Sequence, residues 1–159
     1  MVLSDTHAKD LKDLPGRILE DLEKADLIIH AGDYTSKTLL EQLRDLGELK
    51  GVHGNMDPAE IKRELPDTDI FEVMGFRIGL THPSEGGSPI GLKQRAKSKL
   101  GGDPDLIIYG HSHKPVHERE GSTIYFNPGS ATGAFPARYR TYGVLRIVEE
   151  KIEAEILRV

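Results

Sequence analysis

The sequence contains no cysteine. Disulfides, thiolate zinc sites and cysteine nucleophiles are therefore excluded together. No apolar run approaches the ~18 residues of a membrane-spanning helix, and no basic-then-apolar leader precedes the first polar cluster. Positive charge is not in excess either. The 21 Lys and Arg residues face 26 Asp and Glu, for a formal net charge of −5. The signs are interspersed, without a Lys/Arg block. Bulk electrostatics thus give no nucleic-acid signal, and a small anionic partner needs a local source of positive charge. Repeats, low-complexity tracts and linkers are also missing. The reading is one domain, 1–159, expected in the cytoplasm with no membrane partner and with a homodimer allowed. At this length roughly two-thirds of the unfolded surface can be buried.

What is present alternates. Met1 to Ser4 reads as a short apolar strand. Ile18, Leu19 and Leu22 have helical spacing, with Pro15 as a helix start. Asp26 to His30 is a buried strand, Leu39, Leu40, Leu43 and Leu46 mark an amphipathic helix with Ser36 as its cap, and Leu49 to His53 is a third strand. In the second half, Ile70 to Met74 and Phe76 to Thr81 form a hairpin at Gly75. Pro83 to Gly91 is expected to be a mobile loop, Leu92 to Leu100 a helix and Asp105 to Tyr109 a buried strand. Hairpins follow around Gly121 and between Tyr142 and Leu157, separated by a long loop, Asn127 to Arg140. The pattern implies a layered α/β fold with mixed sheets.

Five of these apolar segments end in metal-ligand side chains. The first runs into Asp5-Thr-His7 and the second into Gly32-Asp33. Gly54-Asn55, His82 and Gly110-His111-Ser-His113 end the others. In α/β sheets, ligands collect in the crevice outside the carboxyl ends of strands. Asp5, Asp33 and Asn55 offer oxygen; His7, His82, His111 and His113 offer nitrogen. Seven donors are too many for one tetrahedral ion and suit two ions sharing a carboxylate. Such a pair, ~3.5–4 Å apart, lowers the pKa of a shared water and neutralises phosphate oxygens. It would supply the positive charge that the composition withholds. Without thiolates, Mn²⁺, Fe, Ni²⁺, Zn²⁺ and Mg²⁺ are all conceivable, and the imidazoles argue against calcium.

Each residue alone has a plainer explanation. Asp5 can cap a helix, Asp33 and Asn55 can be turn residues, and His82 can close a strand. Their joint occurrence favours a site. His30 reads as a strand-end residue, His53 as structural and His117 as exposed. Arg138 and Arg140 are either surface charge or a phosphate contact.

The series Asp5-x-His7, Gly32-Asp33, Gly54-Asn55-x-Asp57, His82 and Gly110-His111-x-His113 resembles the calcineurin-like metallophosphoesterase family, in order and over nearly the whole chain. Ser4-Asp-Thr-His7 and Asn127-Pro-Gly-Ser130 are similar to its small, single-domain bacterial and archaeal phosphodiesterase branch. The resemblance implies an α/β, four-layer α-β-β-α sandwich of two facing mixed sheets flanked by helices. It implies that Asp5, His7 and His113 hold a first ion, that Asn55, His82 and His111 hold a second, and that Asp33 bridges both. Asp57 orients its neighbours, and backbone partners fix the His111 and His113 tautomers. Asp33, Asn55 and His82 are the residues expected nearest the chemistry, and manganese is the first metal expected. The implied activity is hydrolysis of small phosphodiesters by a hydroxide bridging the ions. The Pro83–Gly91 and Asn127–Arg140 loops would shape the pocket.

Three departures stand out. Many family members carry histidine after the metal-binding asparagine, where this chain has Met56. A thioether donates no proton, so His30, His117 or water must serve, or leaving groups must be good ones. Pro83-Ser84-Glu85 follows His82 where some members have a second histidine. Only four residues precede Asp5, so Asp5 and His7 are expected to be loosely held. The competing readings are a catalytically weak scaffold or binding module, as a retromer subunit of similar fold is, a phosphomonoesterase, and a nuclease.

Overall fold

Side chains in the central strands are apolar on both faces, which requires cover on both sides. The computed structural model describes residues 1–85, 87–148 and 150–159. In it β1 (Val2–Leu3), β2 (Ile28–His30), β6 (Leu106–Tyr109) and β8 (Thr123–Asn127) are buried throughout. The remaining strands are β3 (Leu49–Gly51), β4 (Thr68–Val73), β5 (Phe76–Thr81), β7 (Val116–Glu120), β9 (Thr141–Val148) and β10 (Lys151–Arg158). The helices are α1 (Gly16–Leu22), α2 (Lys37–Leu46), α3 (Ala59–Glu64) and α4 (Leu92–Leu100).

The strands form two five-stranded mixed sheets, ordered β10-β9-β1-β2-β3 and β4-β5-β6-β8-β7. In the first, β1, β2 and β3 are parallel and β9 runs against β1. In the second, β5, β6 and β8 are parallel, flanked by antiparallel β4 and β7. Side chains alternate across each strand. Leu106 and Ile108 thus turn inward with Ile78, Leu80, Ile124 and Phe126, against Val2, Ile29, Ala31 and Val52 of the other sheet. Ile107, Tyr109 and Tyr125 turn outward onto Leu92, Ala96 and Leu100 of α4. On the other outer face, Leu3 and Ile28 meet Ile18 and Leu22 of α1, Leu39, Leu40 and Leu43 of α2 and Ile61 of α3. These are the four layers implied by the resemblance. No helix of the described residues is long and apolar enough to cross a membrane.

Local details differ from the sequence reading. Ser36 occupies the cap position of α2, but its hydroxyl donates to Lys9 O (2.8 Å) instead of capping. Pro15 precedes α1 as its cap residue rather than opening it. The third strand stops at Gly51, short of His53. Two elements have no counterpart in the sequence reading, α3 and a 3-10 turn at Leu11–Asp13 closed by an Asp10–Asp13 capping box. Arg95 donates to the carbonyls of Pro83, Ser88 and Ile90, tying the expected mobile loop to α4 on both sides of Gly86, which lies outside the described residues.

Candidate metal centre

The parallel strands of both sheets end at the same edge of the sandwich. Asp5 follows β1, Asp33 follows β2, Asn55 lies beyond β3, His82 follows β5, and His111 and His113 follow β6. The loops that carry them are tightly constrained. Asp5, His7, Asp33, His111 and His113 all have positive φ, between +43° and +83°. Such backbone is uncommon for non-glycine residues and costs of order 1–3 kcal/mol each, a cost that clusters at functional sites. Glycine precedes three donors because the loops touch. A Cβ on Gly54 would strike the Asp33 carboxylate, and one on Gly110 would lie 2.7 Å from Ala31 O and 2.8 Å from His82 Nδ1.

Donor atoms of Asp5, His7, Asp33 and His113 lie within 4.8 Å of one another. His7 Nε2 is 3.3 Å from His113 Nε2, and His113 Nε2 is 3.3 Å from Asp5 Oδ1. An ion held tetrahedrally at ~2.1 Å spaces its ligands at roughly 3.4 Å. Beside this group, Asn55 Oδ1 lies 3.2 Å from His82 Nε2 and 3.1 Å from His111 Nδ1. Asp33 joins the groups: its Oδ2 is 3.6 Å from His7 Nε2 and 3.5 Å from His82 Nε2. All seven sequence-derived donors therefore converge.

Neighbouring groups aim these atoms. A carbonyl only accepts, so His82 Nδ1–H donates to Ala31 O (2.7 Å) and His113 Nδ1–H to Ala134 O (2.8 Å). Both rings thereby turn Nε2 inward, as metal-binding histidines do. His111 instead presents Nδ1 to Asn55 (3.1 Å). The Met56 N–H donates to Asp33 Oδ1 (2.8 Å). Asp57 accepts from the backbone N–H groups of Asp33 (3.0 Å), Gly54 (2.7 Å) and Thr35 (2.7 Å), clamping two donor loops together. Asp57→Ala is expected to weaken Mn²⁺ binding by about 10–100-fold, the usual scale for an outer partner; calorimetric titration checks this, and unchanged affinity would contradict the clamp.

Asp5 and His7 are not loose, despite the short first strand. Their N–H groups donate to Gly32 O (3.0 Å) and Asp33 O (3.1 Å). Ser4 Oγ donates to Asp5 Oδ2 (2.8 Å), and the His111 N–H reaches the same carboxylate from the other sheet (3.1 Å to Oδ2). Ser130 Oγ donates to Asp5 O (2.7 Å) and Thr132 Oγ1 to Thr6 O (2.5 Å). Asn127 Nδ2 donates to Gly110 O (3.3 Å), while its Oδ1 accepts from the Gly129 N–H (2.9 Å). The long loop from Asn127 is thus a brace for both donor groups. The sequence reading took this loop as a wall of the pocket and its Asn-Pro-Gly-Ser block as a mark of the family branch, and did not foresee the bracing.

The charges are mutually dependent. Burial raises Asp5 and opposes ionisation of Asp33, but His82, the Met56 N–H and His7 bring Asp33 below its ordinary range. Burial also works against protonation of His82, yet Asp33 and Asp5 carry it up to about 9. The carboxylates are therefore built to face positive charge. Burial lowers His7 and His111, favouring their neutral, ligating forms.

Two proton-donor candidates do not serve. His30 is fully buried; its Nδ1 accepts from the Gly32 N–H (3.2 Å) and its Nε2 faces Thr6 Oγ1 (3.1 Å). Burial pushes it down to about 3, so it stays neutral. His117 sits on edge strand β7 with its ring edge-on to Phe126, and makes no hydrogen bond to a donor among the described residues. The His30 shift has a consequence for stability. Its folded value lies below the ordinary 6.5, so the unfolded chain binds the extra proton on acidification. The stabilisation is complete above pH ~6.5 and falls below it, by up to about 1.4 kcal/mol per pH unit. Urea unfolding of chelator-treated protein at pH 7 and pH 5 should show this loss, reduced in His30→Gln; equal losses in both proteins would contradict it.

A cavity of about 590 Å³ lies at the opposite end beside Met1, Leu27 and Met74 and contains none of the seven donors. The seven donors lie instead where the strands end.

Comparison with known proteins agrees with the fold. Residues 1–150 match the model of the calcineurin-like phosphoesterase superfamily domain. A probable metallophosphoesterase of Methanothermobacter thermautotrophicus is 36% identical, over 99% of this chain and 90% of the relative. A solved structure described as a novel archaeal phosphodiesterase is 26% identical with a TM-score of 0.71, covering 98% of each chain. Vps29 of Entamoeba histolytica, solved with Zn²⁺, shares the fold at a TM-score of 0.75 and 24% identity, covering 99% of this chain and 97% of that one. The chain belongs to the calcineurin-like phosphoesterase superfamily, a family of metal-dependent phosphoesterases.

Proposed function

We infer that the protein is a binuclear metal-dependent phosphodiesterase acting on small phosphodiesters. The observation that carries this reading is the position of Asp33, whose Oδ2 lies between the two imidazoles His7 and His82, one from each donor group. Asp5, His7 and His113 would hold one ion, Asn55, His82 and His111 the other, and Asp33 both. The donor set fits such ions: the atoms are close, their tautomers are fixed inward, and oxygen and imidazole are mixed. Manganese is the first expectation, with nickel, iron, zinc or magnesium as alternatives. Two ions held this way supply a water of lowered pKa and neutralise phosphoryl oxygens during in-line displacement.

The chain's own part is positioning. Met56 N–H and Asp57 keep the Asp33 carboxylate aimed, and the Asn127–Ala134 segment keeps Asp5 and His113 in place. No imidazole stands at position 56 to protonate a leaving oxygen. That favours substrates whose leaving group departs without assistance, or a proton taken from water. The similarity to an archaeal phosphodiesterase supports diester over monoester chemistry. Mn²⁺-loaded protein is expected to hydrolyse bis-p-nitrophenyl phosphate faster than p-nitrophenyl phosphate, and to lose this activity on chelation. Faster monoester turnover would overturn the diesterase assignment. Diester turnover no higher than that of Asp33→Ala would favour a non-catalytic binding module.

A further inference from the structure

Strand polarity brings a second feature to the same end of the first sheet. Because β9 runs against β1 and β10 against β9, the start of β9 and the end of β10 lie where β1 releases Asp5. Arg158 pairs with Thr141, which the register places level with Ser4. Two inter-strand spacings of ~4.8 Å put the Arg158 backbone roughly 10 Å from the first donor loop. Here a cleft of about 360 Å³ is lined by Thr132, Arg138, Tyr139, Arg140 and Arg158 among others, with no acidic side chain. Its Thr132 wall is the segment whose hydroxyl holds Thr6 O, between Asp5 and His7.

Arg17, Arg44 and Arg146 each face a carboxylate, whereas Arg138, Arg140 and Arg158 form no ion pair among the described residues. Arg158 is also held in place, its guanidinium 3.4 Å from the centre of the Tyr139 ring. Three convergent guanidinium groups in a chain of net charge −5 are a local concentration of positive charge. Guanidinium forks match the tetrahedral oxygens of a phosphate dianion and hold it with charge-assisted hydrogen bonds.

We propose that this cleft binds a second phosphoryl group of the substrate, so that the preferred substrates are diesters carrying a phosphate monoester on one ester arm. This rests on the phosphodiesterase reading. The basic side chains are confined to this cleft, and no basic track continues from it among its lining residues, which favours a small bisphosphorylated molecule over a polynucleotide.

The test compares thymidine 3′-phosphate 5′-(p-nitrophenyl phosphate) with the same diester lacking the 3′-phosphate. For the Mn²⁺-loaded wild type, kcat/KM is expected to be about tenfold or more higher for the bisphosphorylated substrate, chiefly through KM. In R138Q/R140Q/R158Q the ratio falls to about one; a ratio removes any general loss of activity. A wild-type ratio near one, or a high ratio that survives in the variant, would overturn the proposal. So would faster hydrolysis of single-stranded oligonucleotides than of the bisphosphorylated substrate. If no diester is hydrolysed at all, the phosphodiesterase reading fails, and the cleft is then judged by binding. Thymidine 3′,5′-bisphosphate titrated into metal-free protein should bind at least about fivefold more weakly to the triple variant, and equal binding would overturn the cleft assignment.

Discussion

Asp33→Ala is expected to lower kcat/KM for bis-p-nitrophenyl phosphate by about 10³-fold, the upper part of the range seen when a principal electrostatic group is removed from an active site. The size follows from the number of tasks this carboxylate performs. Its Oδ2 stands 3.6 Å from His7 Nε2 and 3.5 Å from His82 Nε2, so its loss removes a donor from both groups at once. Its Oδ1 accepts the Met56 N–H, which would be left without that partner. The backbone at this position is held independently: Asp33 N–H donates to Asp57 and Asp33 O accepts from His7 N–H. The fold should therefore survive the substitution while the site does not. Steady-state kinetics at saturating Mn²⁺, with circular dichroism to confirm folding, measures this. Activity within tenfold of wild type in the folded variant would mean that Asp33 is not shared between two ions.

The second large effect is a gain. Met56 follows Asn55 directly, and its side chain is 59% exposed on the open face of the site. Its backbone N–H already serves Asp33, a contact available to any residue but proline. Met56→His should preserve that contact while adding a proton donor beside the second donor group. A positioned general acid contributes about 10²–10⁴-fold where the leaving group is poor and little where it departs unaided. Hydrolysis of a dialkyl diester, whose only leaving group is a poor alkoxide, is thus expected to rise about 10²-fold in Met56→His, with bis-p-nitrophenyl phosphate changing by less than about threefold. Equal effects on both substrates would show that protonation of the leaving group is not what the wild type lacks.

Much of this was legible in the sequence because the signals are local. The DLII runs of β2 and β6 are apolar on both faces and end in donors, so burial and site position read from the same few residues. Leu92 to Leu100 was delimited by glycine on each side and by a charged face. Convergence of the donors was legible because short parallel strands end at a common edge. What escaped was set by contacts distant in the chain. Helix α3, Ala-Glu-Ile-Lys-Arg-Glu, offers a single apolar anchor, Ile61, too little for a periodic signal. Ser36 looks like a cap, but Lys9 O, 27 positions away, claims its hydroxyl. The bracing by Asn127, Ser130 and Thr132 spans up to 126 positions to the Thr6 loop, and nothing in local spacing announces it. His30 looked available as an acid because sequence does not show that both its ring nitrogens are engaged. The arginine cleft likewise depends on β10 ending beside the loop that carries Arg138 and Arg140, a matter of strand order.

The central claim is that two ions share Asp33. Mn²⁺ titration of the metal-free protein followed by electron paramagnetic resonance tests it most directly. Two ions bound per chain are expected, with an exchange-coupled dimanganese signal that is lost in Asp33→Ala. One ion per chain at saturation, with the spectrum of isolated Mn²⁺, would contradict it.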